Sequence, residues 1–162
     1  MNKFIIIFLI TIGLLNASEE LYPTINGCKL QPNANCPNVN LSNQNLSNLE
    51  LENSNFEGAN FSNSNLDGTD LSNSKLKNAN FKNATLRHAI LKDAFMFKVN
   101  LENANLARAD LRHVNIKKSN SKNANFDGIN GWAMFGQGGT YDGSSFHGAN
   151  LNFARMSASS MK

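Results

Sequence analysis

The sequence predicts an all-β solenoid, a chain wound into narrow stacked coils with its large apolar side chains on the axis. Three observations carry that expectation. A large apolar or aromatic residue recurs at every fifth position from Cys36 to Met161 without one shift of frame. A small residue recurs two positions ahead of it, and the position between them is most often Asn or Asp. A period of five matches neither the 3.6 of a helix nor the 2 of a strand, so it marks a repeated unit rather than an amphipathic element.

Leu41, Leu46, Leu51, Phe56, Phe61 and Leu66 begin the large series after Cys36, and of its 26 positions only Ser121, Gly131 and Gly136 lack a sizeable side chain. In the small series 22 of 26 positions hold Ala, Ser, Thr, Gly or Val, the exceptions being Gln44, Leu49, Ile129 and Met134. Each unit forms one side of a coil, and four units close a turn of twenty residues. The large residue points to the axis. The one two before it also points inward and must be small, because so narrow a coil has no room for two large layers. Stacking at about 4.8 Å lets neighbouring coils satisfy each other's backbone groups. Units centred on 36 to 161 make about six coils, a rod roughly 30 Å long. Asn is a poor helix and strand former, so its abundance belongs to a repeated turn.

Ala59-Asn60-Phe61, Ala104-Asn105-Leu106 and Ala109-Asp110-Leu111 resemble the A(D/N)LXX consensus of the pentapeptide-repeat family, and the likeness runs over about 34–161. The resemblance implies a right-handed quadrilateral β-helix; the spacing alone requires only a stacked five-period coil. Such a repeat specifies a scaffold and names no chemistry.

Ahead of the coils, Lys3 supplies a positive start, Phe4 to Leu15 form an apolar stretch, and Leu15-Asn16-Ala17 offers a cleavage site before Ser18. Residues 1–17 are therefore expected to be a removed secretory signal, the stretch being short for a membrane span; a retained anchor is the competing reading. The chain is then periplasmic or secreted. Cys28 and Cys36 are the only cysteines, and in an exported chain so close a pair suggests a disulfide, with two free thiols as the alternative. Without a nearby His they form an incomplete zinc set. Residues 18–33 are out of pattern and contain Leu21, Tyr22 and Ile25; they are expected to cap the first coil of a β-helix spanning 34–162. A solenoid needs such covers, or its terminal coils expose core and unpaired edges.

At the other end the frame runs to Met161, so Phe153, Met156 and Met161 are expected at or near an open end. They are the candidate contact of an end-to-end homodimer, which some family members form; a frayed monomer is the competing reading. Asn130 to Gly139 keeps the length of the repeat but breaks its pattern. There Gly twice replaces the large residue, while Trp132 and Phe135 fall outside the core frame. An irregular side with Trp132 folded over the core is expected, or a glycine-flexed aromatic loop that meets a partner through Trp132 and Phe135. Phe95 and Phe97, on either side of Met96, add a smaller exposed apolar patch.

Charge falls into bands. Residues 18–74 carry seven carboxylates against Lys29; residues 75–122 carry eleven Lys or Arg against Asp93, Glu102 and Asp110; the remainder is balanced. With a twenty-residue turn, Lys77, Lys98, Lys117 and Lys118 share a side, Lys92 and Arg112 a second, Arg87 and Arg108 a third, Lys82 and Lys122 the fourth. This is a belt around the rod, and a candidate surface for an anionic partner such as a lipid headgroup, a glycan or an acidic protein; an ordinary solvated surface is the plainer reading.

These features point to an exported, non-enzymatic scaffold that presents a patterned surface to a protein, an anionic glycan or a membrane. His88, His113 and His147 are scattered, no catalytic triad spacing or carboxylate pair is evident, and a coil filled with Leu and Phe leaves no interior cleft, so neither catalysis nor a cofactor is expected. The alternative is inhibition of a topoisomerase by DNA mimicry, known in some family members, which needs an acidic rod in the cytoplasm. Direct nucleic-acid binding is not expected either, since the belt lacks interleaved stacking aromatics and a recognition element and the chain reads as exported.

Overall fold

The computed structural model describes residues 22–162; the expected signal of 1–17 and the start of the expected cap lie outside them. From Asn33 onward the chain is a right-handed quadrilateral β-helix. Parallel bridges join each residue preceding a core position to its equivalent twenty residues on, from Asn35 with Asn55 to Thr140 with Ser160. Side 1 is centred on residues 36, 56, 76, 96, 116, 136 and 156. Side 2 is centred on the 41 column, side 3 on the 46 column and side 4 on the 51 column.

The local reason for each corner is a tight turn. The amide three residues after a core position donates to the core residue's carbonyl, as from Ala59 to Phe56 at 3.0 Å. The second turn residue takes a left-handed backbone, with φ near 60° at Asn43, Asn63, Asn83 and Asn103. Asn tolerates that conformation better than most residues. These Asn side chains also form a ladder along one corner, Asn63 donating to Asn43 at 3.3 Å and Asn83 to Asn63 at 3.0 Å. A second ladder runs along the bridge positions, Asn60 donating to Asn40 and Asn80 to Asn60, each at 3.2 Å. Between coils the backbone is paired throughout, as Leu41 N–H to Asn60 O at 2.8 Å and Asn60 N–H to Val39 O at 2.9 Å.

Inside, Leu41 through Leu111 in the large series are sealed from solvent, with Ala59, Ala79 and Ala89 beside them. Phe61 and Phe81, one coil apart, stack at 4.9 Å. Where the small layer holds a hydroxyl, it is satisfied by the coil before: Ser64 donates to Leu41 O at 2.6 Å and Thr69 to Leu46 O at 2.8 Å. Gln44 and Leu49, too large for that layer, sit in the first coil and remain partly exposed.

Before the coils stands a two-stranded antiparallel hairpin, β1 (Thr24–Ile25) and β2 (Cys28–Lys29). Its Asn26-Gly27 turn has positive φ at both residues, as a tight hairpin of this type demands. Ile25 packs on the core, and a disulfide joins Cys28 to Cys36 across a Cα separation of 5.7 Å.

Residues 130–139 correct an expectation. There is neither an irregular side nor a separate loop: Asn130 bridges Asp110 and Asn150, and Phe135 bridges Asn115 and Arg155. The regularity survives because the two inward layers exchange sizes. Ile129 and Met134 carry the bulk in the small layer, and both are buried beside Gly131 and Gly136. A Cβ on Gly131 would come within 3.0 Å of Leu151 and 3.3 Å of Ile129, and one on Gly136 would run into Met156 and Tyr141. Ser121 leaves room in the same way, and Tyr141 occupies its column one coil on.

Candidate functional site

The outward side chains come from the bridge position and the two turn positions of each unit. Counting them by side sharply divides the charge. Side 1 carries Lys75, Lys77, Lys98, Lys117, Lys118 and Arg155 against Glu57, a net of +5. Side 4 carries Glu50, Glu52, Asp70, Asp93 and Asp110 against Lys92 and Arg112, a net of −3. Sides 2 and 3 are close to neutral.

Ion pairing deepens this asymmetry. Five of the eleven cations of 75–122 meet carboxylates: Lys77 with Glu57 at 2.9 Å, Lys82 with Glu102 at 3.1 Å, Arg87 with Asp67, Lys92 with Asp93 at 3.8 Å, and Arg112 with Asp110 at 2.6 Å. Partial burial pushes the Asp67 and Asp110 carboxyls up, but hydrogen bonds from Arg87 and Arg112 outweigh it and hold both below the usual carboxylate range. Lys98, Arg108, Lys117, Lys118 and Lys122 have no carboxylate partner among the described residues. Three of those five are on side 1, where Lys75 and Arg155 are likewise without one. The belt is therefore a one-sided surface electrostatically.

Aromatic rings lie between these cations. Phe95 and Phe97 stack with centroids 6.1 Å apart, and Phe95 is 41% exposed. The Lys98 ammonium stands 5.5 Å from the Phe97 centroid. Lys117 and Arg155 approach the Phe135 ring from neighbouring coils at 5.3 and 5.8 Å. Phe135 thus belongs with side 1, while Trp132 belongs to side 4, 5.0 Å from His113 and 5.7 Å from Phe153 by ring centroids. Phe153 is 77% and Met161 56% exposed, whereas Met156 turns inward against Gly136. Lys75 and Arg155 were missed by sequence reasoning. Their positions twenty and sixty residues from Phe95 were the available signal.

Side 3 holds a shallow groove of ≈ 470 Å³ where Ala107 stands between Arg87 and Asp127. At its end Ser145, His147 and Asp127 meet. The Ser145 hydroxyl donates to Asp127 at 2.5 Å, and the His147 amide does so at 2.8 Å. These bonds hold the Asp127 carboxyl below its ordinary value. Asp142 repeats the arrangement with Ser160 and the Lys162 amide, without any His. The Ser145 oxygen also lies 2.7 Å from His147 Nδ1, so the hydroxyl meets both the Asp127 carboxylate and the imidazole. Asp142 and Ser160 make the same tie across coils with no imidazole, which gives the motif a structural role in binding the turn. Among the described residues no cluster of His, Cys, Asp and Glu could hold a metal ion.

The sequence model of pentapeptide repeats matches in eight copies, over residues 33–63, 54–93, 64–103 and 94–130. Among solved structures, a pentapeptide repeat protein from the Arabidopsis thaliana thylakoid lumen is 30% identical, with a TM-score of 0.58 over 66% of this chain and 73% of that one. A pentapeptide repeat protein from the cyanobacterium Cyanothece is 22% identical, with a TM-score of 0.47 over 79% and 87%. HetL of Nostoc, involved in regulating heterocyst differentiation, is 23% identical, with a TM-score of 0.31 over 79% and 72%. No curated protein matches the chain.

Proposed function

The chain belongs to the pentapeptide-repeat family, and from that premise we propose that it is an exported, non-enzymatic scaffold whose side 1 binds an anionic partner. The observation that carries this is the sorting of charge around the rod, with a net of +5 on side 1 beside −3 on side 4. An ordinary solvated surface intersperses both signs and pairs them. Here five of the six cations of side 1 have no carboxylate partner among the described residues, against only Arg108 and Lys122 among the belt cations of the other sides. Export is supported by the basic, apolar start of the sequence, by the Cys28–Cys36 disulfide and by the relative from a thylakoid lumen. Disulfides persist mainly in oxidising compartments. A topoisomerase-inhibiting DNA mimic would require an acidic rod, and the acidic residues of side 4 do not form one. Phe153 and Met161 offer a further contact, for a second copy of the chain, which sedimentation over a concentration series would detect.

Retention on a heparin matrix tests the anionic-partner reading. Lys98→Gln/Lys117→Gln/Lys118→Gln should elute at markedly lower salt than wild type. Lys82→Gln/Arg108→Gln/Lys122→Gln removes as many charges from the other sides and should elute close to wild type. Equal shifts for the two triples would restore the undirected belt, and weak, salt-independent retention of wild type would remove the electrostatic role altogether.

A further inference from the structure

We propose that side 1 is a membrane-docking face that lies flat on an anionic lipid leaflet, a proposal that rests on the reading of side 1 as the anion-binding surface. Five cations on it, Lys75, Lys98, Lys117, Lys118 and Arg155, have no carboxylate partner among the described residues. That number falls within the clusters of four to eight Lys/Arg that recognise anionic headgroups. They span five coils, four coil spacings or roughly 20 Å along the rod.

The aromatic residues decide between a leaflet and a soluble polyanion. A strand of nucleic acid stacks its bases on open ring faces. Here Lys98 stands over Phe97, and Lys117 and Arg155 over Phe135, so those faces are already occupied by cations. Phe95 remains, 41% exposed, with the edges of its neighbours. Rings and ammonium groups therefore form one mixed layer. Such a layer suits the headgroup–acyl boundary, where apolar edges enter while the cations stay among phosphates. The groove between Arg87 and Asp127 lies on side 3, opposite side 1. Side 4, with its excess of carboxylates, is repelled by the same leaflet and orients the rod. Among the described residues no helix is long and apolar enough to cross a membrane, and docking of this kind is peripheral.

Co-sedimentation with phosphatidylcholine vesicles, with and without phosphatidylglycerol, tests the proposal. Wild type should bind only vesicles containing phosphatidylglycerol. Each lysine near an anionic surface contributes about five-fold to partitioning, so Lys98→Gln/Lys117→Gln/Lys118→Gln should weaken binding roughly a hundred-fold. The triple Lys82→Gln/Arg108→Gln/Lys122→Gln should weaken it far less. Phe95→Asn/Phe97→Gln/Phe135→Asn installs residue types that other coils carry in the same columns. It should keep heparin retention but lose vesicle binding, and Phe95→Asn alone serves should the triple melt early. Retention on heparin without vesicle binding, or vesicle binding indifferent to the Phe substitutions, overturns the membrane proposal and leaves an anion-binding scaffold. Failure on both matrices overturns the two readings together.

Discussion

The Tyr141 hydroxyl donates to the carbonyl of Gly136 at 3.3 Å, from inside the coil, where the repeat would otherwise place a large core side chain. Burial pushes this phenol's pKa up. The tyrosine, with Met134 and Met156, fills what Gly136 leaves open. Restoring the repeat's preferred residue should therefore harm the protein. Gly136→Leu is expected to lower stability by about 1–3 kcal/mol through overpacking. Adding Met134→Ala should recover part of that loss, because it returns the bulk to its usual layer. Denaturant unfolding of the single and double variants measures both; a stabilised Gly136→Leu would contradict the exchange of layers.

The hairpin ahead of the coils is held by Cys28–Cys36, a bridge between residues eight apart. Closing so short a loop is worth about 2.5 kcal/mol on the chain-entropy account. Reduction is expected to lower Tm by about 5–10 °C. Coincident melting of the oxidised and reduced forms would show that the bridge does not secure the fold.

Acid should destabilise the rod. The carboxyls of Asp67, Asp110, Asp127 and Asp142 are all held below their ordinary values, the first two by arginines despite partial burial, the last two by the Ser145 and Ser160 hydroxyls. A group whose folded pKa is depressed contributes stability that is present above its unfolded pKa, and loses it as pH falls through the folded pKa. Tm should therefore be insensitive to these groups above about pH 5 and fall below about pH 4. Asp67→Asn should flatten part of that decline; an unchanged profile would refute the assignment for Asp67.

Ala133 adopts φ 56° at a turn position where most units use Asn or Gly. Left-handed backbone costs an ordinary residue roughly 1 kcal/mol. Ala133→Asn is expected to raise stability by several tenths of a kcal/mol. Thermal melts of the pair measure the sign, and a lower Tm for the variant would count against the strain.

The inward and outward assignment of nearly every residue from Asn33 onward was legible in the sequence. It follows from sterics within one five-residue unit: a turn that needs Asn or Gly, an axis that admits one large layer, and a bridge position facing out. Even so, the same local logic misjudged residues 130–139. Gly131 and Gly136 break the pattern singly, and only packing shows that Ile129, Met134 and Tyr141 restore the volume.

The candidate surface divides along the same line. The sequence by itself determined that cations concentrate in 75–122 and that Lys77, Lys98, Lys117 and Lys118 share a side. Which charges remain unpaired, and that Phe95, Phe97 and Phe135 lie among them, was decided only by the tertiary structure. Ion pairs such as Arg87 with Asp67 form between coils, across twenty residues of chain. Their existence depends on stacking and side-chain reach, which no property of a single repeat contains.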